Sequence, residues 1–163
     1  MNELILTPEL VSQGFSLRQA GPGDFPDYCI VKRVCYEKYA DEFLGGWTDE
    51  IQRQMTTDRF SEALGETFFQ AVLLNGETVG FLTYDIQDDK IDGFSVQLLP
   101  AARNKEMGSF FVKHVTSVSE ETGKPIFIKV FRSNPARNLY ERFGFTVYEV
   151  TAVDHLMRYD PGK

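Results

Sequence analysis

Cysteine is scarce in this sequence: its two copies, Cys29 and Cys35, sit six residues apart in a stretch patterned as a helix, where they face different ways. They cannot easily bridge, and a reducing compartment suits the chain. Histidine is equally rare. His114 and His155 stand apart from each other and from the cysteines, so no metal-ligand spacing exists and no metal is expected. No apolar run approaches the ~20 residues needed to span a bilayer. The opening MNELILTPELVSQ carries Glu3 and Glu9 and has no basic segment ahead of an apolar one, so no secretory leader is read and a cytoplasmic location is expected. Nucleophile elbow, Walker loop and dinucleotide fingerprint are also missing, which argues against the chemistries those motifs serve. With no repeats, low-complexity tract or long linker either, residues 1–163 read as a single domain with enough chain to bury a core.

What is present begins with charge. The chain is 42% hydrophobic and 25% charged, within the range of ordinary soluble proteins, and its net charge is −7. That charge is unevenly spread: residues 1–100 hold 7 Lys/Arg against 17 Asp/Glu, residues 101–142 hold 8 against 4, and residues 143–163 hold 2 against 3. The acidic total argues against nucleic acid as a partner, while the basic block can hold a smaller polyanion or simply coat solvated helix faces.

Hydrophobic periodicity and turn residues divide the chain. FSLRQA (15–20) alternates as a strand and GPGD ends it; Asp24 and Asp27 have the spacing of a capping box for a helix running to about Phe43. Gly45-Gly46 breaks it, and TDEIQRQMTTDRF follows as a second helix with Thr48 as cap. TFFQAVLL and ETVGFLTYDI are strands joined at Asn75-Gly76, a pair suited to the two positive φ values of a tight hairpin, and KIDGFSVQLL completes a three-strand meander. Met107, Phe111, Val115 and Val118 share one face of a third helix that Gly123 and Pro125 stop. PIFIKVF is then a buried strand, joined to the meander by a right-handed parallel crossover. In NPARNLYERFGF, Asn134 is a cap, Pro135 suits the first helical position, Gly144 suits a left-handed stop, and Ala136, Leu139, Tyr140 and Phe143 form the buried stripe. FTVYEV and VDHLMRYD close the chain as strands.

Between the meander and the third helix lies RNKEMGSFF (103–111), which can cradle phosphates or merely start a helix. A helix N-terminus offers unpaired N–H groups and partial positive charge, and Arg103 and Lys105 add full charges. Glu106 opposes them by roughly 1 to 3 kcal/mol, or it favours the helix dipole if the segment binds nothing.

The element order, with LLPAARNKEMGS and NPARNLYERFGF one helix and one strand apart, resembles the GNAT N-acetyltransferase superfamily over nearly the whole chain. LLPAARNKEMGS is similar to that family's apolar strand end, Pro, Arg and loop closing on Gly at a helix start; NPARNLYERFGF is similar to its Asn, Leu-Tyr, Gly-Phe segment. One departure stands out: Asn104 and Glu106 occupy positions where family members often have glycine, leaving only Gly108. The resemblance implies an α+β (mixed α/β) fold, a central, mostly antiparallel sheet of about seven strands with four helices in the order β-α-α-β-β-β-α-β-α-β-β.

It also implies transfer of an acetyl group from acetyl-coenzyme A to a primary amine by direct attack in a ternary complex. Implied cofactor contacts are Leu98, Arg103, Asn104, Lys105, Glu106, Met107, Gly108, Ser109 and Asn134. Tyr140 would be the acid that protonates the departing thiolate, Asp92 a base for the amine, and the backbone N–H near Leu98 an oxyanion donor. The acceptor pocket would come from CYEKYADEFLGGWTDEI, with Tyr36, Trp47 and Glu50 as its walls, since aromatic faces among carboxylates attract a protonated amine. Expected partners are a small-molecule or peptide amine and a second copy of the chain in a homodimer, with neither nucleic acid nor membrane. The alternatives are a non-catalytic acyl-coenzyme A binder and a structural dimer module on the same fold.

Overall fold

The computed structural model describes residues 4–162, so Glu3 lies outside the described residues. Every anticipated element is there in the anticipated order, and one helix is added. This is α1 (Pro8–Ser12), where Thr7 Oγ1 accepts the Leu10 N–H at 3.3 Å and Pro8 takes an early position. At five residues it is too short to show a periodic stripe, although its Thr-Pro start was legible. There follow β1 (Phe15–Gln19), α2 (Phe25–Phe43), α3 (Asp49–Leu64), β2 (Phe68–Leu74), β3 (Glu77–Ile86) and β4 (Ile91–Leu98). The chain continues through α4 (Met107–Thr122), β5 (Ile126–Phe131), α5 (Ala136–Arg142), β6 (Thr146–Val150) and β7 (Asp154–Tyr159).

The seven strands form one mixed sheet in the order β1-β2-β3-β4-β5-β7-β6, antiparallel everywhere except between β4 and β5. The alternation of β3 explains its unbroken apolarity: Leu82 and Tyr84 join the core beneath α4, while Phe81 joins the core beneath α2 and α3. Met107, Phe111, Val115 and Val118 are all buried, as their spacing requires, and each large one removed from water contributes about 1.5–3 kcal/mol. On the other face Tyr28, Val31, Phe60 and Ala63 pack on Phe69, Ala71 and Phe81. The Asn75-Gly76 turn has φ values of 53° and 85°, the left-handed pair its sequence demands.

Two capping assignments change. Asp24 does not cap α2; its carboxylate takes two hydrogen bonds from Arg18, at 2.7 and 2.9 Å, and one from the Gly21 N–H, closing a short turn before the helix. An ion pair with both ends satisfied outcompetes a helix N–H. Thr48 likewise makes no side-chain cap to α3.

The feature that positions the site is a split. Parallel β4 and β5 share one register pair, Ile91 with Ile126, and then diverge, while the other edge of β5 runs in register with β7 over six pairs. A bulge in β4 accompanies the divergence: the β3–β4 register slips between Thr83 and Asp85, opposite Gly93 at φ +64°. Thr83 Oγ1 donates to the Gly93 carbonyl at 2.7 Å, and Arg59 Nη2 donates to the same oxygen at 3.1 Å.

Candidate active site

Two connected cavities occupy the split, sharing Tyr36, Phe94, Ser95 and Phe131 among their walls. The larger, about 1230 Å³, lies between the start of α4 and the start of α5. The smaller, about 850 Å³, lies between α2, α3 and the outer ends of β4 and β5.

The floor of the larger cavity is the edge of β4. Leu99 donates its N–H to Val79 O at 2.7 Å, so in the antiparallel alternation the neighbouring Leu98 turns its N–H and C=O away from β3, toward the split. The Leu98 carbonyl accepts Arg103 Nε at 2.8 Å and the Cys35 thiol at 3.4 Å. Arg103 therefore ties the loop to the strand end and does not extend freely toward a ligand. Asn104 and Glu106 both adopt left-handed backbone, φ 58° and 75°, at the two positions singled out as departures from glycine. The loop keeps its tight path with side chains in place, at a strain on the order of 1–2 kcal/mol for glutamate.

Glu106 precedes α4, and the first intrahelical bond is Phe110 N–H to Glu106 O at 2.9 Å. The N–H groups of Met107, Gly108 and Ser109 consequently have no acceptor within the helix, and Glu106 provides no side-chain cap. Gly108 and Ser109 line the cavity, as do Arg103, Asn104 and Glu106. Lys105 is exposed and outside the wall, and Met107 is buried beneath the loop, leaving only its backbone for a ligand.

The start of α5 forms another part of the same wall. The helix begins one residue later than its sequence suggested, so Pro135 takes the cap position; Asn134 Oδ1, one residue earlier, accepts the Ala136 N–H at 2.9 Å, and Asn134 also lines the cavity. The stripe of Ala136, Leu139, Tyr140 and Phe143 is only half-buried, because one side of it faces the open split. Tyr140 is held edge-on by Phe94, with centroids 5.7 Å apart, and by Phe145 at 5.8 Å. Its hydroxyl makes no hydrogen bond among the described residues, and burial pushes it up to about 12.

Helix α2 roofs both cavities. Tyr36 faces each of them, with its hydroxyl pushed upward by burial, and the ring of Phe131 stacks on Tyr39 and Phe43 at 4.9 and 5.9 Å. Trp47 and Glu50 line neither cavity. The Trp47 indole donates to Asp49 at 3.1 Å beneath the Arg33 guanidinium, and Glu50 is exposed. The other carboxylates of that region also turn outward: Glu37 and Asp49 pair with Arg33, Asp41 accepts the Trp47 N–H, and Glu42 accepts the Ser133 hydroxyl. Asp92 lies on the wall of the smaller cavity, its Oδ1 accepting the Gly93 N–H at 2.9 Å and its Oδ2 3.7 Å from Lys90 Nζ.

The model of the acetyltransferase (GNAT) family matches residues 33–145, which take in the split, its roof and both motifs. The chain belongs to the GNAT acetyltransferase family. Its fold is similar to that of the PaiA N-acetyltransferase from Thermoplasma acidophilum in complex with coenzyme A, at 16% identity and TM-score 0.65 over 90% of this chain and 98% of that one. It is equally similar to the ribosomal-protein-S18-alanine N-acetyltransferase from Escherichia coli, at 18% identity and TM-score 0.65 over 91% and 95%. No curated protein matches the sequence.

Several cavity residues of this GNAT chain escaped the sequence reading. Phe94, Ser95 and Gln97 sit on the strand read as the third of the meander, whose bend at the Gly93 bulge turns them to the cavities. Lys32 lies four residues before Tyr36, the one residue of the anticipated acceptor pocket that lines a cavity, and the spacing places both on one face of α2, but nothing local singles out Lys32.

Proposed function

We propose that the protein is an N-acetyltransferase that moves an acetyl group from acetyl-coenzyme A to a primary amine by direct attack in a ternary complex. One observation carries the reading: the unpaired N–H row at the start of α4 and Tyr140, with its unbonded hydroxyl, line one cavity, and a second cavity shares Tyr36 with it. Acetyl-coenzyme A, when bound, supplies the acyl group as a thioester.

The residues have separable tasks. The N–H groups of Met107, Gly108 and Ser109 would receive the pyrophosphate without any side-chain rearrangement. Gly108 is compatible with that role: even a Cβ there would make one ordinary contact, 3.6 Å from Leu139 Cδ2. The outward backbone of β4 between Gly93 and Leu98 would pair with the amide-bearing arm, replacing the ladder that β5 withholds. The Leu98 N–H, aimed into the split, is the donor for an oxyanion.

A free primary amine with a pKa near ~10.4 is protonated at neutral pH and must lose a proton before it attacks. Asp92 is the carboxylate on the acceptor side that could take it. Tyr140, pushed up to about 12, stays a phenol at any working pH and so can donate to the departing sulfur.

Thiol release from acetyl-coenzyme A against a panel of amines tests the proposal. Amine-dependent release is expected; its absence across the panel, with coenzyme A still bound, would leave a binder. Coenzyme A at 100 times its Kd should stabilise the fold by ~2.7 kcal/mol in a thermal shift, and no shift would sink both readings.

A further inference from the structure

The smaller cavity carries the wrong charge for the aromatic, acidic pocket anticipated from the sequence. Its cations are Lys32, Arg59, Lys90 and Lys129; its carboxylates are Asp92 and, at the exposed rim, Asp89. Three of the cations are already answered. Arg59 is ion-paired with Glu66 and bonded to the Gly93 carbonyl, Lys90 lies 3.7 Å from Asp92, and Lys129 faces Asp154. Lys32 is different: it is half-buried on the inward face of α2 and has no carboxylate or hydrogen-bond partner among the described residues. Burial first, and the Arg59 charge second, push its ammonium below the usual lysine range. An ammonium kept there without a counter-ion is costly, and an arriving anion offsets that cost.

A second observation lies in the same wall. Gln97 is 3% exposed, and its side-chain amide faces the buried Tyr28 hydroxyl. Gln52, also buried, supplies another amide to the cavity. Both amides are neutral, so they add polarity to the wall and leave the Lys32 charge uncompensated.

We infer that the amine acceptor carries a carboxylate, as a free amino acid does, with the carboxylate held by Lys32. One uncompensated cation suits a monoanion better than a phosphate dianion, since Arg59 is already neutralised by Glu66. The inference rests on the acetyltransferase reading and names the substrate class of that site.

The test uses matched probes: α-amino acids with aliphatic and aromatic side chains, their primary amides, the corresponding decarboxylated amines, and a dipeptide amide. Calorimetry is run on the full chain with and without saturating coenzyme A, and thiol release is followed in parallel. The acids are expected to bind about tenfold to hundredfold more tightly than the amides or amines, the range of one charge-assisted contact. Lys32→Met should erase that ratio while leaving coenzyme A affinity unchanged, and Lys32→Arg should restore it. Equal or tighter binding of amides, amines or the dipeptide overturns the inference. So does an unchanged ratio in Lys32→Met. If no probe is acetylated, the enzyme reading fails separately, and the calorimetric ratio still decides whether the cavity selects an anion.

Discussion

At the scale of single residues, the contrast between Tyr140 and Glu106 is instructive. The Tyr140 ring is packed but its hydroxyl is unbonded, so Tyr140→Phe removes a donor without leaving a buried group unpaired. Turnover should fall by roughly 10²-fold, within the span of general acid catalysis, while stability and coenzyme A affinity stay the same. Paired kinetics, thermal melts and calorimetry read this; an unchanged rate removes Tyr140 from the chemistry. Glu106 is held at φ 75°, beside the N–H row that would receive phosphate. Glu106→Gly relieves about 1–2 kcal/mol of strain against the ~1 kcal/mol entropic cost of glycine, and removes a like charge. A melting temperature that holds or rises slightly is expected, with tighter coenzyme A binding by calorimetry. Weaker binding would mean that the carboxylate organises the loop.

At the scale of elements, the decisive piece is the bend in β4. Gly93 is left-handed, and a Cβ built there would lie 2.1 Å from Glu66 Oε2, in the buried pair with Arg59. Gly93→Ala should therefore destabilise the protein by about 2–4 kcal/mol, through backbone strain and displacement of a buried ion pair, seen as a lower urea midpoint. If the midpoint is unmoved, the bulge does not depend on that packing. The bend also explains which parts of the site were legible. The loop that opens α4 and the helix α5 are continuous segments whose cap, glycine and stripe can be read in order. The cavity walls contributed by Phe94, Gln97 and Lys32 depend on a strand that leaves its neighbour and on the face of α2 that rolls inward, and neither is a local property.

At the scale of the whole molecule, charge and protonation give two further tests. The net charge is −7, yet Lys38, Arg103, Lys129 and Arg142 surround the larger cavity, against Glu106 and Asp154. Coenzyme A affinity should weaken steadily as salt rises from low to physiological ionic strength, because partly exposed charges are screened over ~8–10 Å. A salt-independent Kd would place the anion elsewhere. Stability should also depend on His114, whose Nε2 lies 3.0 Å from the Tyr84 hydroxyl in the core beneath α4, and whose pKa is lowered by burial. A lowered folded pKa means that the unfolded chain binds the proton first. Stability is then unaffected above about 6.5, the unfolded value, and declines as pH falls below it. Melting temperatures of wild type and His114→Gln should diverge between about pH 6.5 and 5, the variant losing less; parallel curves would assign the acid sensitivity to other groups.

The sequence by itself determined the order of the elements, the α+β class, the loop that opens α4 and the place of Tyr140 on α5, because caps, turn glycines and helical stripes act over a few neighbouring residues. Only the tertiary structure decided that β4 and β5 part after one pair, that the carboxylates around Trp47 turn to solvent, and that an unpaired lysine faces the smaller cavity. Those outcomes follow from how the sheet bends and how α2 lies across it, which is set by packing between segments far apart in the chain.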